Sequence, residues 1–81
     1  MNVKVKLFAV AKQLAGAETV AVTLPNSPTV KKLRDALGQQ FPPLYDITQR
    51  AMIAIDAEYV NNDAIVPEHS EIALIPPVSG G

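Results

Sequence analysis

The sequence predicts an α+β domain: one mixed sheet of four to five strands, with one main helix on one face and an extended C-terminal tail. Three observations carry this. Segments near the start, soon after it and at the end of the chain alternate apolar and polar residues with the period of a half-buried strand. A single long stretch between them repeats at helical spacing instead. With 81 residues, of which 48% are hydrophobic, the chain is large enough for one packed core and too small to divide.

The elements are taken in order. From Asn2 to Phe8, Val3, Val5 and Leu7 share one face, and Asn2, Lys4, Lys6 and Phe8 share the other. Phe8 is the odd member, an aromatic ring on the lysine-bearing side. Ala9 to Gly16 reads as a turn of helix or a compact loop closed by its glycine. Thr19 to Leu24 alternates again, with Val20, Val22 and Leu24 inward, and suits an antiparallel partner for the first strand. The breakers Pro25-Asn26-Ser27-Pro28 precede Thr29, a good helix N-cap. Val30, Leu33, Leu37 and Phe41 then form one helical stripe, which Pro42-Pro43 ends. Gly38 weakens the last turn by about 0.5–1 kcal/mol relative to alanine. Leu44, Tyr45 and Ile47 are expected to seat a loop on the core. Ala51 to Asp56 is a third strand with Ile53 and Ile55 on one face, followed by a tight turn at Asp56 to Tyr59 and a short return through Val60. After a turn at Pro67 to Ser70, the last strand sets Ile72 and Leu74 against Ala73 and Ile75.

One helix must cover one face of one sheet, so the last strand cannot simply follow its neighbour in meander order. Set beside the first strand and parallel to it, it leaves the helix centred and gives a mixed sheet with a right-handed crossover. That arrangement is the β-grasp, or ubiquitin-like, fold. Residues 1–75 form the domain, and residues 76–81 a tail expected to be flexible.

Composition removes several kinds of function. A net charge of −1 argues against nucleic acid or an anionic membrane as partner. Cysteine is absent, which excludes disulfides, thiolate metal sites and a thiol nucleophile. No apolar run approaches the roughly 20 residues of a membrane helix, and Met1 leads straight into a strand pattern rather than a signal peptide. A cytoplasmic domain is expected.

An active site within the chain is not found either. His69 is alone in a turn, where a solvated residue is the ordinary reading. Glu68, Glu71 and Asp63 lack a nucleophile or metal geometry. Gly16, Gly38, Gly80 and Gly81 do not form a phosphate-binding loop. The chain is therefore not expected to be catalytic alone, and no metal is expected.

The tail has its own chemistry. Pro76 and Pro77 stop the strand because proline lacks the ladder's N–H. Val78, Ser79, Gly80 and Gly81 then taper to an end without side chains, and from Pro76 the tail can reach roughly 20 Å. Glycine leaves no Cβ to clash in a narrow channel. The Gly81 carboxylate is unreactive until another enzyme adenylates it, after which sulfur or nitrogen can attack. If the first and last strands are neighbours, Phe8 and Ile75 share the face opposite the helix, and Tyr59 can join them. This apolar patch stands at the tail's root.

Several segments carry a resemblance across nearly the whole chain, in order and at the right spacing. They are Val5-Lys6-Leu7-Phe8-Ala9, Lys12-Gln13-Leu14-Ala15-Gly16, Pro28-Thr29-Val30-Lys31-Lys32-Leu33-Arg34, Ile53-Ala54-Ile55-Asp56 with Val60, and residues 71–81. The sequence resembles the small subunit of molybdopterin synthase, the MoaD family of ubiquitin-like sulfur carriers. Pro-Pro-Val-Ser-Gly-Gly is the most specific piece. The resemblance implies that an E1-like adenylating enzyme (MoeB-like) uses ATP to adenylate Gly81, and that a desulfurase or rhodanese-type sulfur donor protein converts it to a thiocarboxylate. No cofactor would be bound stably. The tail would enter the large, MoaE-like subunit and donate sulfur to cyclic pyranopterin monophosphate, two transfers making the dithiolene. Two small and two large subunits would form an elongated heterotetramer, and Phe8, Tyr59 and Ile75 match hydrophobic interface positions of the family.

Gln13, Asp56 and Ile75 depart from the family's usual Glu, Asn and aromatic residue, which bears on partner fit rather than mechanism. Three alternatives remain. A ThiS-like carrier for thiazole synthesis usually lacks the Phe-Ala-x-x-Lys-x-Leu-x-Gly segment present at Phe8 to Gly16. A ubiquitin-like modifier would be conjugated to lysines through Gly81. A plain binding module would function without Gly80-Gly81.

Overall fold

In a computed structural model, residues 1–77 of the chain are described. The elements are β1 (Asn2–Leu7), α1 (Ala9–Ala15), β2 (Thr19–Thr23), α2 (Val30–Gln40), a 3₁₀ turn (Pro42–Leu44), α3 (Tyr45–Arg50), β3 (Met52–Ile55), β4 (Glu58–Val60) and β5 (Ile72–Ile75). The strands form one five-stranded sheet in the order β2-β1-β5-β3-β4. β1 pairs antiparallel with β2 and parallel with β5, while β3 is antiparallel to both β4 and β5. The last strand thus lies in the middle of the sheet, beside the first and parallel to it, the pairing that the single covering helix requires. The fold is the β-grasp.

The inward stripe is the expected one. Val3, Val5 and Leu7 of β1, Val20 and Val22 of β2, Ile53 of β3, and Ile72 and Leu74 of β5 are all buried. Against them pack Val30, Leu33 and Leu37 of α2, each fully buried, with Phe41 partly buried at its end. Burying each such side chain stabilises the fold by about 1.5–3 kcal/mol relative to exposure.

Helix ends are set by local chemistry. The Thr29 hydroxyl accepts the Lys32 N–H at 3.2 Å, so α2 begins where an N-cap residue predicts. α1 closes on Gly16, whose φ of +69° is the left-handed conformation and whose N–H donates to the Lys12 carbonyl at 2.9 Å.

The segment after Pro42-Pro43 differs from the expected loop. Pro42 opens the 3₁₀ turn and α3 comes directly after it, so two short helical pieces continue the layer above the sheet. Leu44 and Ile47 do seat this segment on the core, but Tyr45 is 59% exposed and does not. The physical reason is the proline itself: it ends α2, yet its fixed φ suits the first turn of the next helical segment.

Gly38 also has a packing reason. A Cβ there would stand 3.2 Å from Thr48 Oγ1 and 3.3 Å from Tyr45 Cα, tighter than an ordinary contact, so α3 packs closely on α2 at this position.

Polar ties join the layers. Arg34 on α2 donates from Nε to Asn62 Oδ1 and from Nη1 to the Thr48 carbonyl, each at 2.8 Å, and also to the Ala51 carbonyl. Burial pushes the Arg34 pKa down from its ordinary value, yet a guanidinium remains charged. The Gln40 amide pairs with β2, its Oε1 accepting the Thr23 N–H at 3.1 Å and its Nε2 donating to the Thr23 carbonyl at 2.9 Å. It stands in for one residue of a missing strand on that sheet edge.

The β3–β4 hairpin has a two-residue turn, since Ile55 pairs with Glu58. Its central residues, Asp56 and Ala57, have φ of +50° and +69°. Asp56 is tied down: its Oδ1 accepts the Glu71 N–H at 2.9 Å, and its own N–H donates to the Glu71 carbonyl at 2.8 Å. Ala57 has no such compensation in its side chain. Among the described residues no helix is long and apolar enough to cross a membrane.

Two stability outcomes are expected. Ala57→Gly relieves a left-handed Cβ and stabilises the domain by about 0.5–1.5 kcal/mol, read as a higher thermal midpoint; a lower midpoint would contradict the turn geometry. Arg34→Met strips donors from the Thr48 and Ala51 carbonyls and destabilises by about 1–3 kcal/mol, measurable by denaturant unfolding.

Candidate functional site: the outer sheet face and the root of the tail

The sheet face away from the helices is laid out in rows by the strand register. Lys6 lies between Thr19 on β2 and Ala73 on β5, and the row continues through Ala54 to Tyr59. One step further along, Ile75 is paired with Met52 on β3. On its other side, one residue beyond the Leu7–Leu74 pair, stands Phe8. Phe8 holds an extended backbone (φ −125°, ψ 155°), so the alternation of β1 carries through to it and its ring reaches the outer face.

Phe8, Tyr59 and Ile75, named from the sequence, lie on the same side of the sheet, Phe8 next to Ile75 and Tyr59 two strands away on β4. All three line the same open depression, together with Lys4 and Lys6. Phe8 is 39% exposed, Tyr59 62%, and Ile75 half-buried. Met52, 48% exposed, is a fourth large apolar group beside them. Its signal was present: if Ile53 and Ile55 point inward, Met52 and Ala54 must point outward. Val10 and Leu14, one helical turn apart on α1, are also exposed.

One lysine is part of this patch. The Lys6 ammonium stands 5.4 Å from the centroid of the Phe8 ring, a cation–π placement.

The tail leaves from this edge. β5 ends at Ile75 between Phe8 and Met52, Pro76 is buried and Pro77 exposed. Neither neighbour continues alongside: β1 ends at Leu7, and β3 starts only at Met52. The prolines thus lose no ladder partner. Val78, Ser79, Gly80 and Gly81 of the sequence-derived tail lie outside the described residues.

Elsewhere, His69 sits in its turn with a side chain 94% exposed, 3.7 Å from Glu68. Glu18 pairs with Lys12 at 3.0 Å, and that hydrogen bond, with the lysine's charge, lowers its pKa.

Comparison with known proteins agrees with this geometry. The β-grasp sheet order is that of ubiquitin-like domains, and the chain belongs to the ThiS family, whose model matches residues 5–81. Its curated relatives include the molybdopterin synthase sulfur carrier subunit of Arabidopsis thaliana, 37% identical over 81 residues, all of this chain and 84% of that one. Among solved structures, small archaeal modifier protein 1 of Haloferax volcanii superposes with a TM-score of 0.85 at 29% identity over the full length of both chains. The complex of subunits 1 and 2 of the molybdopterin-converting factor from Helicobacter pylori contains a similar chain, with a TM-score of 0.68, 26% identity and full coverage of both.

Because Phe8 and Met52 lie outside the core, Phe8→Asp and Met52→Asp are each expected to change the unfolding free energy by less than about 1 kcal/mol. Denaturant unfolding checks this; a loss of several kcal/mol would assign them to the core instead.

Proposed function

We propose that this chain is the sulfur carrier subunit of molybdopterin synthase, acting in the cytoplasm. The observation that carries the reading is the position of β5. A central strand delivers Pro76 and Pro77 from the rim of an exposed apolar patch, so a partner that buries Phe8, Tyr59, Ile75 and Met52 also receives the C-terminal tail. The similarity to named sulfur carrier subunits supports the same reading.

In this account the E1-like, MoeB-like enzyme and the large, MoaE-like subunit use the outer face in turn. The first adenylates the Gly81 carboxylate with ATP, which supplies a leaving group that a free carboxylate lacks. The terminal sulfur of the sulfur donor protein's persulfide then attacks the acyl carbon and AMP leaves; a thiol cleaves the acyl disulfide so formed, taking the donor's sulfur into a disulfide and leaving a thiocarboxylate at Gly81. The second partner takes the tail, and Gly81 gives up its sulfur to cyclic pyranopterin monophosphate; two such transfers complete the dithiolene. The carrier supplies reach and a narrow tip, and its partners supply the catalysis. A heterotetramer of two small and two large subunits fits this division.

A second reading, a protein modifier joined to lysines through Gly81, is favoured by the similarity to small archaeal modifier protein 1. It predicts a ladder of larger species on a blot of cell extract that vanishes when Gly80-Gly81 are deleted.

The test of the first reading is a reconstituted assay with the large subunit, E1-like enzyme, ATP, sulfur donor and precursor. Gly81→Val adds a branched side chain where the tail must thread, and is expected to abolish dithiolene formation while leaving thermal unfolding unchanged. Wild-type turnover by that variant would contradict the proposal.

A further inference from the structure

Lys6 belongs neither to the core nor to the tail, yet its placement constrains any partner that covers the outer face. It lies on β1, the second of the five strands, with Thr19 and Ala73 beside it, Lys4 before it on the same strand and Phe8 just past the strand's end. Its ammonium is held above the Phe8 ring. Among the described residues it makes no ion pair: Glu18, the carboxylate whose pKa feels its charge, is hydrogen-bonded to Lys12, and Glu71 lies one row away, level with Lys4. Lys12 and Lys31 have carboxylate partners among the described residues, whereas Lys4 and Lys32, like Lys6, have none; what sets Lys6 apart is its place over an aromatic ring of the exposed face.

A protein surface that buries the Phe8 ring also strips water from the ammonium above it. A cation desolvated without an acceptor opposes association strongly, whereas one matched by a carboxylate stabilises the complex and directs its approach. We propose that the protein partner of this face presents a carboxylate against Lys6, within an otherwise apolar contact, and that Lys6 selects the docking register. The inference rests on the proposed function for the identity of that partner. Lys6 is then a specificity-determining residue at the root of the tail: Phe8, Ile75 and Met52 give the contact its area, and Lys6 gives it a single matched orientation.

The experiment measures binding of the full chain to the large synthase subunit by calorimetry at low and high salt. The wild type is compared with Lys6→Gln, Lys6→Glu, Phe8→Asp and, as a control on α2, Lys32→Gln. Lys6→Gln is expected to weaken low-salt binding roughly tenfold and to flatten its salt dependence, with Lys6→Glu weaker still. Lys32→Gln is expected to bind like the wild type. If Phe8→Asp abolishes binding while both Lys6 variants keep wild-type affinity and salt slope, the partner carries no matching carboxylate and this inference is overturned, leaving the proposed function standing. If Phe8→Asp itself binds normally, the outer face is not the contact and both fall. Thermal unfolding of each variant separates lost binding from lost fold.

Discussion

The structure depends on β5 being hydrogen-bonded on both sides, parallel to β1 and antiparallel to β3. A last strand in the centre of a sheet makes the domain close around its own end. Ile72 and Leu74 are held in the core, while Ala73 and Ile75 reach the opposite face. The chain can then leave only along the sheet's rim, flanked by Phe8 and Met52. An edge strand would be held by one ladder; the central position of β5 holds it between two, as far as Leu74 on the β1 side and Ile75, the residue before Pro76, on the β3 side.

The helical layer serves that arrangement. α2 covers the sheet with Val30, Leu33 and Leu37, and α3 packs closely on α2 at Gly38. Arg34 gathers the carbonyls of Thr48 and Ala51, and so fixes the entry into β3, the strand that flanks β5. With that side of the sheet closed, the other remains free to present Phe8, Tyr59 and Ile75. Packing and docking are thus divided between the two faces of one sheet.

Much of this was legible in the residues because strand alternation has a period of two and leaves little freedom. Once Val3, Val5 and Leu7 are inward, Phe8 must be outward, and one topological argument sets it beside Ile75. Met52 obeys the same parity, but it is the first residue of β3, where alternation alone does not show that pairing has begun. α3 was hidden by Pro42-Pro43, which end one helix and begin the next with the same fixed φ, and six residues are too few to display a period. Arg34, Gln40 and the packing at Gly38 were not legible at all. Their roles depend on which loop or helix the fold brings against them, and no spacing along the chain encodes that.

Everything proposed for the outer face has its purpose in what happens at Gly81. The most direct measurement is the intact mass of the untagged chain, purified from its own cells and mapped by peptide to the C-terminus. The account predicts a species heavier by one oxygen-to-sulfur exchange, confined to Gly81. Only the plain carboxylate, even after incubation with ATP, the E1-like enzyme and a sulfur source, would contradict it.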